Sequence, residues 1–381
     1  MTIAEFLSGD VLGGNLMFSK NPYYPMTVTA KEATLILEIN KDRLFQLFSD
    51  NHEFLRSYLE YVSDHTVILG DRIKHYVNRT IRESIISYLN YECKKQNSTT
   101  IKLSMIVKVL SENTTSSDKL GSEHGLSLYI ETGTHKILFD TGASGLFAEN
   151  AEKMGVDLTK VDLAVISHGH YDHGGGLKTF LCVNSQAKVY LHKKAFEPHY
   201  ANRPGGVKAY IGLDESLLPN ERFVFCGDHF VIDHELELFS GIESKRLVPS
   251  GNLDLFMKDG TAFVQDNFAH EQNLIISENG KTLLIAGCAH NGIINIIDQF
   301  NVEKGYLPDY VIGGFHLYNH GTKQNEAPNV VDEIGNILLE THSQYYTCHC
   351  TGIESYNRLK TVMGENIDYI STGDQLTIYM R

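Results

Sequence analysis

The sequence predicts a mixed α/β (α+β) protein made of segments that differ in character. A polar, turn-prone stretch at residues 94–100 divides the chain. After this stretch, short strand-like runs alternate with helix-like runs, beginning with the alternating residues 105–114. Before it, β-type runs with frequent turns precede a long helical pattern. We therefore expect three domains, at residues 1–50, 51–100 and 105–381.

Composition limits the classes of function that the chain can have. Hydrophobic residues make up 42% and charged residues 21%, which is ordinary for a soluble globular protein. The net charge of −14 argues against a nucleic-acid-binding surface. No run approaches the ~18 apolar residues of a membrane span, and the first residues lack a signal-peptide pattern. Six scattered cysteines are unlike a disulfide framework, so we expect a cytoplasmic protein.

The segment before residue 100 combines predicted strands with a heptad pattern. Residues 26–30 and 34–39 are β-type runs. Apolar residues then recur at alternating spacings of four and three across residues 54–76, which predicts a helix that pairs with another helix. Two interpretations remain open: a homodimer through the 54–76 helix, or packing of this helix on its own β-barrel.

Residues 6–14, 24–30 and 37–39, followed by the long helix, resemble the effector domain of Crp/Fnr-type transcription regulators. The resemblance covers about residues 3–104 and implies a partial cyclic-nucleotide-binding-like β-barrel (half jelly roll) followed by dimerisation-type helices. The Glu and Arg that hold a cyclic nucleotide are absent, as is the DNA-reading domain, so neither ligand is expected. Because Met105 opens a strand like a fresh protein start, we interpret the chain as a fusion.

The run His-Gly-His-Tyr-Asp-His at residues 168–173 is the most informative motif in the chain. It follows the apolar, strand-like residues 161–166, and the glycines at 174–176 favour a tight turn. Imidazole nitrogen and carboxylate oxygen are ligands that zinc takes at roughly 2.0–2.2 Å. A loop at a strand end can aim such groups at one point, whereas a helix spreads them over several faces. The run therefore predicts a metal site.

Six motifs together resemble the metallo-β-lactamase superfamily, in the branch that includes dihydropterin-ribofuranosyl-aminobenzene-phosphate synthases. The motifs are residues 123–127, 139–142, 167–175, 287–292, 313–317 and 349–352. The resemblance covers about residues 105–380. It implies a four-layer αββα sandwich, in which two facing sheets carry helices on the outside and a metal site lies at one edge between the sheets.

The resemblance also implies two sets of metal ligands. His290 follows the apolar run 282–286, which is expected to end at the same edge as the histidine-rich run. Two ions roughly 3.5–4 Å apart can share a hydroxide. Zn²⁺ is the expected ion, as one or two per chain, with Mn²⁺ and Fe²⁺ as alternatives. The implied ligands are His168, His170 and His290 for the first ion, and Asp172, His173 and His349 for the second.

The last ligand is contested between two histidines. His316 and His349 both follow strand-like runs, at residues 310–314 and 345–348. The family pattern favours His349, which leaves His316 close to the substrate. Cys348 and Cys350 flank His349 and face away from it if the segment is extended, so we expect them to be buried.

Four further residues are expected beside the ligands or the substrate. Asp140 ends a strand at a Thr-Gly turn, and its expected role is to orient ligand imidazoles, with turn formation as the competing account. Cys288 stands where the wider superfamily commonly has a bridging Asp, which leaves the number of ions open. Asp266 and His124 are placed near the site by the same resemblance.

The function implied by the resemblance is metal-dependent hydrolysis of an ester-, phosphoester- or pterin-type small molecule. A metal-bound hydroxide would attack, Asp172 would orient it, and His316 would protonate the leaving group. The alternatives are a synthase-like transferase, a di-iron redox enzyme and a metal-dependent sensor. A di-iron enzyme of this superfamily usually has a Glu in the histidine-rich run and a flavin domain, and this sequence shows neither. No motif for a rival nucleophile or a phosphate loop is present.

Overall fold

The computed structural model describes residues 29–30, 34–36, 39–59, 104–243 and 245–379. The chain divides into two compact units, Met1–Ile101 and Lys102–Arg381. Among the described residues, no helix is long and apolar enough to cross a membrane.

The first unit contains a helix that the sequence analysis did not predict. Helix α1 (Lys41–Asp50) begins after Asn40, whose side-chain oxygen accepts hydrogen bonds from the backbone N–H groups of Asp42 and Arg43. Leu44 and Phe48 are buried on one face, four residues apart. The helix therefore forms within the segment expected to be a barrel, because its cap and apolar spacing favour a helix.

The predicted strands of the first unit are only partly described. Residues 29–30 and 34–36 are neither helix nor strand, and residues 52–59 are helical. Most of the heptad pattern at residues 54–76 lies outside the described residues, as does most of the predicted half barrel.

In the second unit, the first of two large sheets has seven strands. In order across the sheet the strands are β20 (Gln375–Tyr379), β1 (Ser104–Ser111), β2 (Ser127–Glu131), β3 (Lys136–Phe139), β4 (Leu163–Val165), β5 (Lys188–His192) and β8 (Phe223–Cys226). The first four of these strands pair antiparallel, and the strands from β3 to β8 pair parallel.

The second large sheet also has seven strands. In order across the sheet the strands are β19 (Ile367–Tyr369), β18 (Gln344–Thr347), β15 (Tyr310–Gly313), β14 (Lys281–Ile285), β13 (Asn273–Glu278), β10 (Leu236–Phe239) and β9 (His229–Val231). The strands from β19 to β14 pair parallel, and those from β14 to β9 pair antiparallel.

The two large sheets face each other across a shared hydrophobic core. Alternate side chains of both sheets meet there, for example Val107 and Val109 of β1 with Leu283 and Ile285 of β14. Two further cores lie on the outer faces of the sheets. The helices that bury these faces are α2 (Leu146–Lys153) and α4 (Leu177–Val183) on the first sheet, and α5 (Ile293–Lys304), α6 (Pro328–Glu340) and α7 (Ile353–Met363) on the second. The predicted α/β class and four-layer αββα order are thus confirmed.

Two small sheets were not predicted. A four-stranded sheet has the order β12 (Ala262–Gln265), β11 (Leu255–Asp259), β6 (His199–Arg203) and β7 (Val207–Tyr210). A two-stranded sheet pairs β16 (Tyr318–Asn319) with β17 (Gln324–Asn325). Residues of β6, β11 and β16 line the pocket described below.

The carboxyl ends of four strands position the polar side chains. His168 and the one-turn helix α3 (Tyr171–Gly174) follow β4, and His290 follows β14. His316 follows β15, and His349 follows β18. Because β4 lies parallel to β3, and β14, β15 and β18 lie parallel to one another, their following turns meet at one edge of the sandwich.

Candidate metal centre

The first cluster of ligand atoms consists of His168, His170 and His290. One ring nitrogen from each lies within 4.8 Å of the other two, and all three residues are buried. The Nε2 atoms of these histidines have no hydrogen-bond partner. A buried nitrogen without a partner is costly, and a bound cation removes that cost. The residues therefore fit an ion chemically as well as geometrically.

Hydrogen bonds fix the protonation of two histidines in this cluster. The Nδ1 atom of His168 lies 2.9 Å from the hydroxyl of Ser167, which donates to Asp140 at 2.7 Å and so accepts from the ring. The Nδ1 atom of His290 lies 3.0 Å from the side-chain oxygen of Asn252, which is an acceptor. Each Nδ1 therefore carries the proton, and each Nε2 keeps a lone pair for an ion.

The second cluster contains Asp172, His173, Cys288 and His349, whose ligand atoms lie within 4.8 Å of one another. Asp172 Oδ2 is 3.3 Å from His349 Nε2 and 3.6 Å from His173 Nε2. The Sγ atom of Cys288 is 3.1 Å from His173 Nε2. His349, rather than His316, thus accompanies Asp172. Asp172 and His173 lie in the single turn of the short helix α3, so their side chains still reach the same cluster.

Hydrogen-bond acceptors also orient the two histidines of the second cluster through their Nδ1 atoms. His173 Nδ1 lies 2.6 Å from Oδ2 of Asp140, and His349 Nδ1 lies 2.7 Å from Oδ1 of Asn113. Asp140 accepts in addition from the backbone N–H of Ser167 at 2.7 Å. Asp140 therefore supports ligand candidates of both clusters, through direct contact with His173 and through Ser167.

Burial and neighbouring charge set the ionisation of the second cluster. Burial acts to raise the pKa of Asp172, but His173 and His349 outweigh it and hold the pKa of this carboxyl well below its usual range. Burial acts to lower the pKa of His173, but Asp140 and Asp172 raise it to about 9. In the first cluster, burial holds the pKa values of the histidines well below the ordinary value, so these rings are neutral.

His124 contacts the second cluster as a donor. Asn113 accepts from His349 through its side-chain oxygen, so its amide nitrogen, 3.4 Å from His124 Nδ1, donates to that atom. The proton of His124 is then on Nε2, which lies 3.4 Å from Oδ2 of Asp172. Burial lowers the pKa of His124 to about 4. His124 is thus a neutral group that orients the carboxylate of Asp172.

Two buried glutamates, which the sequence analysis missed, hold the turns that carry the distant histidines. Glu271 accepts from the backbone N–H groups of His290 at 2.6 Å and Asn291 at 2.9 Å. Glu112 accepts from the backbone N–H of His349 at 2.6 Å. His349 has a φ of 51°, so this contact stabilises a backbone conformation that is uncommon for a residue with a side chain.

Asp266 lies in a neighbouring cluster with two histidines. Its Oδ2 is 2.8 Å from His199 Nδ1 and 3.4 Å from His270 Nε2. The backbone N–H of Gly169 donates to His270 Nδ1 at 2.9 Å, so the proton of His270 is on Nε2 and faces Asp266. A ring nitrogen of His170 lies within 4.8 Å of this cluster. The carboxylate of Asp266 therefore accepts from these histidines next to His170. No pattern in the sequence identified its partner His199.

Cys350 is buried, as expected, but the segment around it is not extended. Cys348 is fully buried between the sheets, as expected. Residues 349–351 form a short 3₁₀ turn instead of an extended strand, because His349 adopts a positive φ. Cys350 consequently lines the pocket, with its sulfur within 4.8 Å of ligand atoms of Cys288 and His316.

An open pocket leads to both clusters. Its walls include Asp172, His290 and His316, whose ring centroid is 4.3 Å from that of His290. Arg203 of β6 also lines the pocket and adds a guanidinium to it. Tyr171 adds an aromatic side chain that is 38% exposed. Such a lining can hold a small anionic molecule against bound cations.

Comparison with known proteins agrees with this architecture. The profile of the metallo-beta-lactamase superfamily matches residues 120–327, more than half of the chain. The chain belongs to this superfamily. A solved structure described as Tm1679, a metal-dependent hydrolase of the beta-lactamase superfamily, is 29% identical with a TM-score of 0.61, covering 72% of this chain and 99% of that one.

Two relatives come from Methanocaldococcus jannaschii. One is an uncharacterised protein that is 32% identical over 264 residues, which are 67% of this chain and 93% of the relative. The other is named 7,8-dihydropterin-6-methyl-4-(beta-D-ribofuranosyl)-aminobenzene-5'-phosphate synthase, and it is 26% identical over 272 residues, 66% of this chain and 89% of the relative.

Proposed function

We propose that this protein is a metal-dependent hydrolase of an ester-, phosphoester- or pterin-type small molecule. The observation that supports the proposal is the convergence, on one pocket, of two clusters of buried ligand atoms. In the first cluster, two of the three histidines are fixed with their Nε2 lone pairs free. In the second, Asp172 lies among three other ligand groups.

The ion expected at these clusters is Zn²⁺, as one or two per chain, with Mn²⁺ or Fe²⁺ as alternatives. The ligand types, imidazole and carboxylate, suit these borderline metals. Bound ions would supply Lewis acidity and lower the pKa of water. The proposed ligands are His168, His170 and His290 for one ion, and Asp172, His173 and His349 for the other, with Cys288 beside the second set.

The residues that touch the pocket have separate roles in this proposal. Asp172, held ionised by its histidine neighbours, orients the attacking water through its carboxylate. His316 lines the pocket next to His290 and donates a proton to the leaving group. Arg203 holds an anionic part of the substrate, which favours phosphoesters over uncharged esters.

A synthase-like transferase is the second candidate, and the relative of that name supports it. The same pocket would then hold a phosphorylated ribofuranosyl aminobenzene beside a reduced pterin. Formation of the joined product from these two reactants, with no hydrolysis of either, would favour the transferase. A di-iron redox site would instead give visible absorbance and bound iron in the purified protein.

The experiment is a hydrolysis panel of phosphoesters, lactones, thioesters and reduced pterins, with zinc, manganese and iron each supplied. We expect His168→Ala to lose bound metal and about 100-fold or more in kcat/KM on the best substrate, because even the loss of a residue that supports a metal ligand costs roughly 10–100-fold. His135→Ala is the matched control, because His135 is a half-buried histidine paired with Asp233 outside the pocket. Unchanged metal content and turnover in His168→Ala would contradict the proposal.

The proposal extends to the origin of the first unit, to dimerisation and to the location of the protein. We infer that residues 3–104 derive from a Crp/Fnr-type effector domain without ligand or DNA binding, joined to the catalytic unit by fusion. We further propose that the helix at residues 54–76 forms a homodimer, and that the protein acts in the cytoplasm. Neither a nucleic acid nor a membrane is an expected partner.

A further inference from the structure

We propose that Cys288 and Cys350 form an oxidisable thiol pair, which hydrogen peroxide converts reversibly into a disulfide. Their sulfurs and a ring nitrogen of His316 lie within 4.8 Å of one another. Both cysteines are free thiols with exposures of only 2% and 3%. Both nevertheless line the pocket, so a small oxidant entering the pocket reaches them.

The contacts of Cys350 hold its sulfur against the turn that carries Cys288. The thiol of Cys350 donates to the backbone oxygen of Cys288 at 3.6 Å, and the backbone N–H of His316 donates to the same sulfur at 3.3 Å. Gly314 provides the space, because a Cβ at that position would lie 2.4 Å from this sulfur. A disulfide needs a sulfur separation of about 2 Å, so the bond requires the two side chains to rotate toward each other.

The oxidation proceeds in two balanced steps. Both sulfurs are in hydrogen bonds, that of Cys288 with His173 and that of Cys350 with the backbone N–H of His316, so either can react first. The O–O bond of peroxide breaks, one oxygen adds to this sulfur as a sulfenic acid, and water leaves. The sulfur of the other cysteine then attacks the sulfenic acid, the S–S bond forms, and a second water leaves. Two thiols lose two electrons and two protons, and one peroxide becomes two waters.

The disulfide changes the second ligand cluster. Cys288 belongs to the same group as Asp172, His173 and His349, and a bond to Cys350 removes its thiol from that group. This consequence depends on the proposed metal centre, whereas formation of the disulfide does not. Reduction by a dithiol returns both thiols and restores the cluster.

The test uses the full chain with Cys93→Ser and Cys182→Ser, which removes the exposed Cys182 and the cysteine outside the described residues. After peroxide treatment, we expect a mass loss of two hydrogen atoms and a crosslinked peptide joining Cys288 to Cys350. Dithiothreitol should restore the mass. In Cys350→Ser, the expected product is a sulfenic acid on Cys288, trapped by dimedone, with no mass loss. Cys350→Ala serves the same purpose if the serine variant does not fold.

Cys348→Ser is the matched control, because Cys348 is equally buried but lies between the sheets. It should form the same disulfide as the parent. The proposal is overturned if peroxide leaves the parent thiols reduced, if the crosslink joins other cysteines, or if Cys350→Ser still loses two hydrogen atoms. Zinc release, followed with a chelating dye, should accompany crosslinking. A crosslink that forms without a change in bound zinc would show that the thiol of Cys288 is not needed to hold the ion, and it would leave the proposal of the thiol pair intact.

Discussion

At the scale of single residues, the hydrogen-bond acceptors at the Nδ1 atoms of the histidines determine which ring nitrogen can bind an ion. Ser167, Asn252, Asp140 and Asn113 each face the Nδ1 atom of a histidine and leave Nε2 directed at a cluster. A ring held in this way keeps the tautomer that binds an ion and loses less freedom when it does so. Asp140 differs from the other three because it is charged and therefore changes the pKa of its partner.

The pKa of His173 predicts how the metal-free protein responds to pH. Because the pKa is raised from 6.5 to about 9 in the folded state, the charged ring stabilises folding fully below pH 6.5. This contribution is lost as pH rises to 9, and it amounts to on the order of 3 kcal/mol. We expect the melting temperature in the presence of a chelator to fall between pH 6.5 and 9. His173→Gln should flatten that slope, and an equal slope in both proteins would refute the assignment.

The guanidinium of Arg203 predicts selectivity for anionic substrates. A hydrogen bond to a charged group contributes about 1.5–3 kcal/mol, so Arg203→Ala should raise KM for p-nitrophenyl phosphate about 10- to 100-fold. KM for p-nitrophenyl acetate, which carries no negative charge, should stay within a few-fold. Metal content, measured on the same samples, separates lost substrate binding from lost ions. Equal losses on both substrates would show that Arg203 does not select the anion.

The residues named from sequence and those that sequence reasoning missed differ in one physical respect. His168, His170, Asp172 and His173 occur in one short run, where chemical type and spacing are visible in the chain itself. His199 and the two buried glutamates are single residues in unremarkable surroundings. Their importance arises from contacts with partners far along the chain, for example Glu112 with His349. Such contacts exist only after folding, so spacing cannot reveal them.

At the scale of elements, close packing of the turns fixes the relative position of the candidate metal ligands. The turn after β14 contacts the turn after β4 at Gly287, where a Cβ would lie 2.2 Å from the Ser167 hydroxyl oxygen and 3.2 Å from His168 Nδ1. Glycine therefore permits an approach that any side chain would prevent. The ligand-bearing turns of the two sheets are in direct contact here.

This contact predicts that Gly287→Ala damages both stability and metal binding. Overpacking of this kind costs about 1–3 kcal/mol, and the displaced Ser167 no longer orients His168. Urea denaturation and bound-metal analysis measure the two effects. Gly227→Ala is the control, since a Cβ there has nothing within 4 Å, and it should behave like the parent. Full metal content in Gly287→Ala would mean that the turns can separate without loss of the site.

The elements that could be predicted were those with a strong local pattern. The alternating segment at 105–114 is β1 (Ser104–Ser111), and the apolar run at 310–314 is β15 (Tyr310–Gly313). The four-stranded sheet was missed because three of its strands, β7, β11 and β12, are exposed or half-buried on both faces, and in β12 every residue is exposed. Without a buried face, no alternation of apolar and polar residues appears in the sequence.

At the scale of the whole molecule, the sandwich brings together residues from both large sheets. Asp172 follows a strand of the first sheet and His349 a strand of the second, yet their ligand atoms lie 3.3 Å apart. The site therefore forms only when both sheets pack on their shared core. Metal binding should be coupled to folding of the entire second unit rather than of one sheet.

The division of the chain predicts what happens when the first unit is removed. Among the described residues, the members of the three core clusters all lie within residues 105–378, so a chain beginning at Lys102 should fold and bind the same metal as the full chain. The heptad pattern at 54–76 predicts that the full chain is a dimer and that the shortened chain is a monomer. Sedimentation at micromolar concentration distinguishes these states, and metal analysis of both proteins checks that the site is intact. A full chain that sediments as a monomer would eliminate dimerisation through this helix. A shortened chain that binds no metal would show that the second unit needs residues 1–101.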